Sequence, residues 1–329
     1  MTRLDPAHIM VVNSGWFTTV QDMGRYGYQQ YGVSGSGAMD RRSYVLANRL
    51  VGNRDDAAAL ELTLKGPELL FENDTVMALT GADLTPFVDG RVIPLWTSVL
   101  VKGGGRLTFG TKRAGARCYL AIAGGIDVPM VFGSRSTHIA SQTGGVKGRV
   151  LAQGDALSGG TLSSHHREMI GRLVPEHLRP LYPTVATLRI LRGPQYSSFS
   201  EQALEVLTTT PYRLTSQSDR MGYRLEGAKL THSGMKQMKQ WISDGTAMGA
   251  LQVPPDEQPI LLMADRQTTG GYPKIAVVIS ADLHLAGQLL PGDTIHFRMT
   301  TPAEAQAALK AEWDELDRAI PPYRDVSNV

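Results

Sequence analysis

The sequence predicts a mainly β fold in two related halves with few helices, and three observations carry that expectation. Between Leu60 and Leu157 the chain is a series of short apolar runs closed by Gly, Asp or Pro, the texture of an all-β barrel or sandwich. Helical periodicity is confined to short stretches and to one longer one near the C-terminal end. The second half also echoes the first in order: VQDMGRY (20–26) in QSDRMGY (217–223), SGAM (36–39) in DGTAM (244–248), GARCYLAIAGGID (115–127) in GYPKIAVVISAD (271–282), and QGD (153–155) in PGD (291–293). Repeated order of this kind points to duplication of one β-rich unit, whose copies tend to share a cleft.

Each element has its own warrant. Ile9 to Val12 reads as a first strand, stopped by Asn13-Ser14-Gly15. The stretch from Thr18 to Asp40, TTVQDMGRYGYQQYGVSGSGAMD, reads as a loop with a function. Its glycines let the backbone turn and approach a ligand, and Gln21, Asp22, Arg25, Ser34 and Ser36 supply donors and acceptors. Asp40 suits the N-cap of a helix running to Gly52, with Tyr44, Ala47, Leu50 and Val51 on one face, Arg49 at the negative end and Gly52 as the left-handed stop.

Strands are then expected at 69–71, 75–80, 91–95, 98–101, 106–109 and 117–123. The charged, proline-bearing segment SSHHREMIGRLVPEHLRPLYP (163–183) lacks strand alternation and holds the domain boundary, with His165-His166 expected to be exposed. The second half reads as strands at 187–191, 212–216, 260–263, 275–280 and 294–299, with a short helix capped by Ser200 and ending at Leu207. Leu309, Trp313, Leu316 and Ile320 form one stripe of a helix from Ala303 to Ile320, ended by Pro321-Pro322 and followed by a loose tail.

Composition bounds the function. A chain of 329 residues favours two domains, and 33 basic against 31 acidic residues gives no field for general nucleic-acid or acidic-membrane binding. Cys118 sits in an apolar run and reads as a small core hydrophobe. No window approaches ~20 apolar residues and MTRLDPAHIMVV has no signal-peptide core, so the expected compartment is the cytoplasm.

Chemistry-bearing residues gather in the loops. Val131 to Arg149 is extra in the first copy and rich in Gly, hydroxyls and positive charge: Arg135, Ser136, Lys147 and Arg149 suit an anion, although the order is not that of a Walker loop. Gly124-Gly125 follows a strong strand and either forms a tight turn or offers paired N–H groups to an oxyanion. Asp219-Arg220 and Asp265-Arg266 could bind a carboxylate, orient a catalytic acid, or stand solvated. The histidines have no metal spacing, and GMKQMK (234–239) lacks the Met-Lys-Met core of a biotin attachment site.

Together, TVQDMGRYGYQQYGVSGSGAMD, LTGAD, YLAIAGGIDVP, GSRST, SDRMGYRLEG and the run from SDGTAMGALQVPP to GGYPKIAVV resemble the family of the 5-oxoprolinase C subunit, the biotin-dependent carboxyltransferase-like group also called allophanate hydrolase subunit 2 or urea amidolyase-related. The resemblance covers about Val11 to Phe297, leaving MTRLDPAH and the helix from Ala303 as extensions. It implies two cyclophilin-like β-barrel domains, placed at 1–175 and 176–300, with 301–329 as C-terminal helix and tail. It further implies a cytoplasmic protein, inactive alone, that joins a smaller B subunit of related fold and an A subunit in a complex. That complex hydrolyses 5-oxoproline to glutamate using ATP bound by or shared with a partner. No covalent biotin and no metal are expected. The loop chemistry gives Asp22, Arg25, Asp219 and Arg266 as the candidate catalytic groups for such a reaction, and Gly124, Gly125, Arg135, Ser136, Lys147 and Arg149 as the candidate substrate- or anion-binding groups. The alternatives are a carboxyltransferase component of a urea-type, biotin-dependent carboxylase, and a non-catalytic module antagonising a kinase inhibitor.

Overall fold

The computed structural model describes residues 6–161, 164–233 and 242–323. It is mainly β, as the short apolar runs predict, and its contacts divide it into two compact units. Unit 1 comprises Met1–Arg25, Ser36–Tyr182 and Asp314–Val329; unit 2 comprises Tyr26–Gly35 and Pro183–Trp313. The chain thus leaves its first unit within the Gly-rich stretch, contributes Tyr26–Gly35 to the second, and returns at Ser36.

Unit 1 contains, in chain order, β1 (Pro6–Asn13), β2 (Phe17–Gln21), α1 (Arg41–Leu50), β3 (Ala59–Thr63), β4 (Glu68–Phe71), β5 (Thr75–Asp83), β6 (Pro86–Val88), β7 (Arg91–Val92), β8 (Ser98–Val101), β9 (Arg106–Phe109), β10 (Ala114–Ile122), β11 (Ile126–Asp127), β12 (Ala156–Thr161) and α2 (Ser164–Glu168). The strands form one sheet in the order β11-β12-β1-β4-β9-β6-β7 and another in the order β2-β3-β10-β5-β8. Ile9, Leu69 and Phe71 from the first sheet and Leu60, Leu79, Leu120 and Ile122 from the second belong to one buried cluster, so the core lies between the sheets. Each such side chain contributes about 1.5–3 kcal/mol by leaving water. Thr18 to Gln21, expected in the loop, is the end of β2: Thr18, Thr19 and Val20 are buried and the segment pairs with β3.

Helix α1 starts as expected. The Asp40 carboxylate accepts from Ser43 N at 2.9 Å, and Tyr44, Ala47, Leu50 and Val51 are fully buried, as are Val45 and Leu46 on other faces. A helix buried on most sides packs against β5 and β10 and is tied down by Thr80 Oγ1, which donates to Ser43 O at 2.7 Å. Its Arg49 does more than complement the dipole: it forks onto Asp55 at 2.8 and 2.7 Å and reaches Asp317 at 2.7 Å.

Beside α1 lies a buried polar network that the alternation of ALELT conceals. Glu61 accepts from Tyr119 Oη at 2.7 Å and from Met39 N at 2.9 Å, and Tyr119 Oη accepts from Asp40 N at 2.8 Å. Burial, then the charges of Glu61 and Asp40, hold the Tyr119 phenol well above its ordinary pKa. Cys118 is fully buried, and burial pushes its thiol up, away from nucleophilic use. His165, expected on the surface, is half-buried, with its ring 5.2 Å from Tyr323 and 5.7 Å from His166.

Unit 2 contains β13 (Val185–Arg192), α3 (Glu201–Thr209), β14 (Tyr212–Leu214), β15 (Gly222–Glu226), β16 (Asp244–Gly245), β17 (Ala250–Gln252), β18 (Ile260–Leu262), β19 (Thr269–Gly270), β20 (Lys274–Val278), α4 (Leu283–Ala286) and β21 (Thr294–Met299). Seven strands close into a barrel, β13-β20-β17-β18-β15-β14-β21, which removes exposed sheet edges, while β16 and β19 form a separate ribbon. Ser200 caps α3 by accepting from Ala203 N, as its position predicts. The last helix, α5 (Pro302–Ala319), opens with a reciprocal capping box: Thr301 N donates to Glu304 at 2.9 Å and Glu304 N to Thr301 Oγ1 at 3.2 Å. Of its expected stripe, Leu316 and Ile320 are buried, while Leu309 and Trp313 are half-buried. The expected tail and the GMKQMK segment lie outside the described residues.

The sequence echoes have local counterparts. Asp155 accepts from Ala152 N at 2.7 Å and Asp293 from Leu290 N at 2.8 Å, the same turn around QG and PG. Asp22 and Asp219 each fold their loop by accepting from an amide two residues on. Strand pairing differs, however: β1 runs antiparallel to β12, whereas β13 runs parallel to β21.

Candidate functional site

The Gly-rich stretch and the insertion meet in unit 1 around Asp22, which is 7% exposed. Its Oδ1 accepts from Gly24 N at 2.8 Å, Ser134 Oγ at 2.7 Å and Ser136 Oγ at 2.5 Å, and its Oδ2 accepts from Arg135 N at 2.5 Å. A carboxylate receiving this many donors fixes a loop, because each donor would otherwise stand unpaired in the interior. Arg25, 4% exposed, completes the clamp by donating to Ser136 O and to Val131 O. Gly144 and Gly145 close over the other side: a Cβ at Gly144 would stand 2.1 Å from Ser136 O, and one at Gly145 would stand 2.0 Å from Thr137 Oγ1.

This geometry sorts the expected site residues. Ser136 is fully buried and its hydroxyl is committed to Asp22, so the expected contact with an anion is replaced by a role inside the loop. Gly124 N donates to Asn53 Oδ1 at 2.7 Å and Gly125 N to Ile122 O at 2.9 Å; the pair is a tight turn, and neither amide is turned toward an external oxyanion. The amides of Gly145 and Gly148 likewise donate to Arg135 O and Gly144 O. Arg149 forks onto Asp155 at 2.7 Å through both terminal nitrogens, and that hydrogen bonding holds the Asp155 carboxyl below its usual range. Lys147 is exposed on a left-handed backbone, φ 53°.

Arg135 is the cation that the clamp displays. Its Nε donates to Val128 O at 2.9 Å and one terminal nitrogen lies 3.3 Å from Asp127, whose side chain is mostly exposed; Arg135 itself keeps 32% of its side chain accessible. Three residues earlier in the chain, Phe132 stands in the Val131–Ser134 turn with φ 51°, a conformation a bulky residue adopts only when its surroundings impose it.

In unit 2 the adjacent Asp-Arg pairs reach partners elsewhere in the chain. Asp219 is exposed and accepts from Met221 N and Gly222 N, whereas the buried Arg220 forks onto Asp265 at 2.8 and 3.1 Å. The Arg266 guanidinium turns toward Thr246 O and Met263 O, both at 3.4 Å. The segment Tyr26–Gly35 is fixed here: Gln29 Nε2 donates to Thr246 O at 2.9 Å and Thr268 O at 2.8 Å, and Ser34 Oγ to Arg266 O at 3.1 Å. Gln29, absent from the expected set, could be suspected only as a polar residue among glycines. Among the described residues no group of three or more His, Cys, Asp or Glu is placed to hold a metal, and no helix is long and apolar enough to cross a membrane.

Comparison with known proteins identifies the family. The carboxyltransferase domain, subdomain A and B, matches residues 31–299. The chain is 41% identical over 309 residues to the 5-oxoprolinase C subunit of Escherichia coli K12, covering 93% of this chain and 95% of that protein. It is 38% identical to the Haemophilus influenzae protein of the same name over 87% and 89% of the two chains. Among solved structures, the urea amidolyase of Kluyveromyces lactis superposes with a TM-score of 0.87 at 31% identity, over 100% of this chain but only 21% of that one. The chain therefore belongs to the carboxyltransferase domain family, subdomains A and B, that includes the 5-oxoprolinase C subunit.

Proposed function

We propose that the chain is the C subunit of a cytoplasmic, ATP-dependent 5-oxoprolinase that converts 5-oxoproline to glutamate. The observation that carries this reading is coverage: the match to the 5-oxoprolinase C subunit spans nearly the whole of both chains, whereas the urea amidolyases contain the same region as a small part of a longer protein. In this reading the Asp22 clamp is a positioning device that displays Arg135 to an anionic group at the site the partner subunits complete.

A five-membered lactam is a poor electrophile, and ATP supplies the activation of its oxygen. The glycine amides expected to cradle phosphate are used within the fold, so this chain does not fit the nucleotide there, and we assign nucleotide binding to one of the partners. Covalent biotin has no part in the proposal. The chain alone is inactive, and the smaller B subunit and the A subunit complete the site. Purified chain mixed with both should release glutamate only with ATP and 5-oxoproline together. Release by the chain unaided, or none by the full mixture, overturns the proposal.

The full-length structural match to a urea amidolyase domain supports a second reading, carboxyl transfer from a biotin carried on another chain. Dependence of turnover on a biotinylated carrier would select it. A chain that binds its partner with no turnover under either condition would instead be a regulatory module.

A further inference from the structure

We propose that unit 2 holds a small-ligand site where β17 meets β20, built from Lys274, Gln252 and Gln267, and that its ligand is a small carboxylate carrying an amide. The register places Gln252 opposite Lys274 across an irregularity in the β17–β20 pair, so the two side chains leave neighbouring backbone. Both are buried, 5% and 3% exposed.

The Lys274 ammonium lies 4.0 Å from Asp244 Oδ2, beyond hydrogen-bond reach, and donates no hydrogen bond among the described residues. Asp244 is itself 57% exposed in its side chain and already accepts from Gln195 Nε2 at 3.2 Å. The ammonium thus keeps donors at the point where the otherwise buried side chain reaches solvent, and a ligand carboxylate can take the place of water there.

The amides beside it supply the second half of the recognition. Gln267 Nε2 donates to Gln252 Oε1 at 3.1 Å, which orients the pair and leaves Gln252 Nε2 and Gln267 Oε1 as a donor and an acceptor. A planar amide on the ligand has the complementary acceptor and donor. The ribbon of β16 and β19 lies against this pair: a Cβ on Gly270 would stand 3.1 Å from Gln267 Nε2 and 3.4 Å from Gln252 Oε1, so glycine permits the approach. Lys274 N, donating to Gln195 Oε1 at 3.0 Å, fixes the other wall.

The choice of 5-oxoproline as probe rests on the proposed function; the site does not. The test is calorimetric titration of the full chain, without nucleotide or partners, with 5-oxoproline, proline, which lacks the amide, and 2-pyrrolidone, which lacks the carboxylate. We expect 5-oxoproline to bind and the other two to bind roughly tenfold or more weakly. Lys274→Met and Gln252→Leu should each weaken 5-oxoproline by a similar factor. Gln267→Leu, at a half-buried position, should do so with an unchanged melting temperature, and it decides the matter if the buried variants fail to fold. No binding to the wild-type chain, or wild-type affinity in Gln267→Leu, overturns the site. Binding that depends on Lys274 and Gln267, in a chain whose complex releases no glutamate, leaves the site standing and removes the activity; turnover unaffected by Gln267→Leu with unchanged affinity does the reverse.

Discussion

Replacing Asp22 by alanine should unlock the Val131–Arg149 insertion. The carboxylate receives the amides of Gly24 and Arg135 and the hydroxyls of Ser134 and Ser136, all at 2.5–2.8 Å, in a site 7% exposed. A hydrogen bond to a charged group contributes about 1.5–3 kcal/mol, and a donor left unpaired in the interior costs about as much. The hydroxyls can rotate to other acceptors and the loop can open to admit water, so the loss should stop near ~3–6 kcal/mol, which corresponds to roughly 8–15 °C in the melting of unit 1. Asp22→Asn keeps the shape but turns one acceptor into a donor facing a donor, and should cost about half as much. Asp219→Ala is the control: its two amide partners are at an exposed carboxylate, so water replaces it at a cost below about 1 kcal/mol. Thermal and denaturant melts of the three variants check the ordering. Asp22→Ala melting within a few degrees of wild type while losing activity in the assembled complex would refute the clamp and make Asp22 catalytic.

Other outcomes rest on the same geometry. Gly144→Ala places a Cβ 2.1 Å from Ser136 O and 2.2 Å from Arg25 Nη2 at a backbone φ of +71°, and should cost well over ~2 kcal/mol in a denaturant melt, whereas Gly32→Ala, with nothing within 4 Å, should cost only about 1 kcal/mol. Arg220→Leu strands the buried Asp265 and should destabilise by about 3–5 kcal/mol, much of it recovered when Asp265 is replaced by Leu as well, which a double-mutant cycle measures. Burial, with the charge of His165 added, holds His166 below its ordinary pKa, so the unfolded chain binds the extra proton first. Stability should therefore be lost as pH falls from about 6.5 through the depressed value and level off below it, and melts of His166→Gln should show a flatter slope over that window. Arg135→Ala, and Arg135→Lys to a lesser degree, should lower kcat/KM of the assembled complex by about tenfold with melting nearly unchanged.

Local rules made much of the frame legible. The cap at Asp40, the cap at Ser200, the turns at Asp155 and Asp293, and strands such as Ser98–Val101 and Arg106–Phe109 are set by interactions spanning a few residues, and they stand where their residues put them. What escaped is long-range. The partners of Asp22 in the insertion lie 112 to 114 residues away, and Arg220 bypasses its neighbour Asp219 for Asp265, a choice no dipeptide announces. In ALELT the alternation suits a strand but puts Glu61 on the outer face, whereas its bonds with Tyr119 and Met39 draw it inside. The glycines of the insertion read as ligand contacts, yet several serve close packing of backbone on backbone, a need that leaves the same compositional mark.

The passage of Tyr26–Gly35 into unit 2 has a consequence for how the protein is made. These residues emerge from the ribosome before any other part of their unit, and at ~5–20 residues per second they wait on the order of ten seconds or more until Pro183 and the residues beyond it are synthesised. Until then Gln29 has no Thr246 or Thr268 to receive its hydrogens. A gene cut between Tyr182 and Pro183 would therefore not yield two self-sufficient pieces: the downstream product lacks the clasp on its ribbon, and supplying a peptide of the 26–35 sequence in trans should restore it.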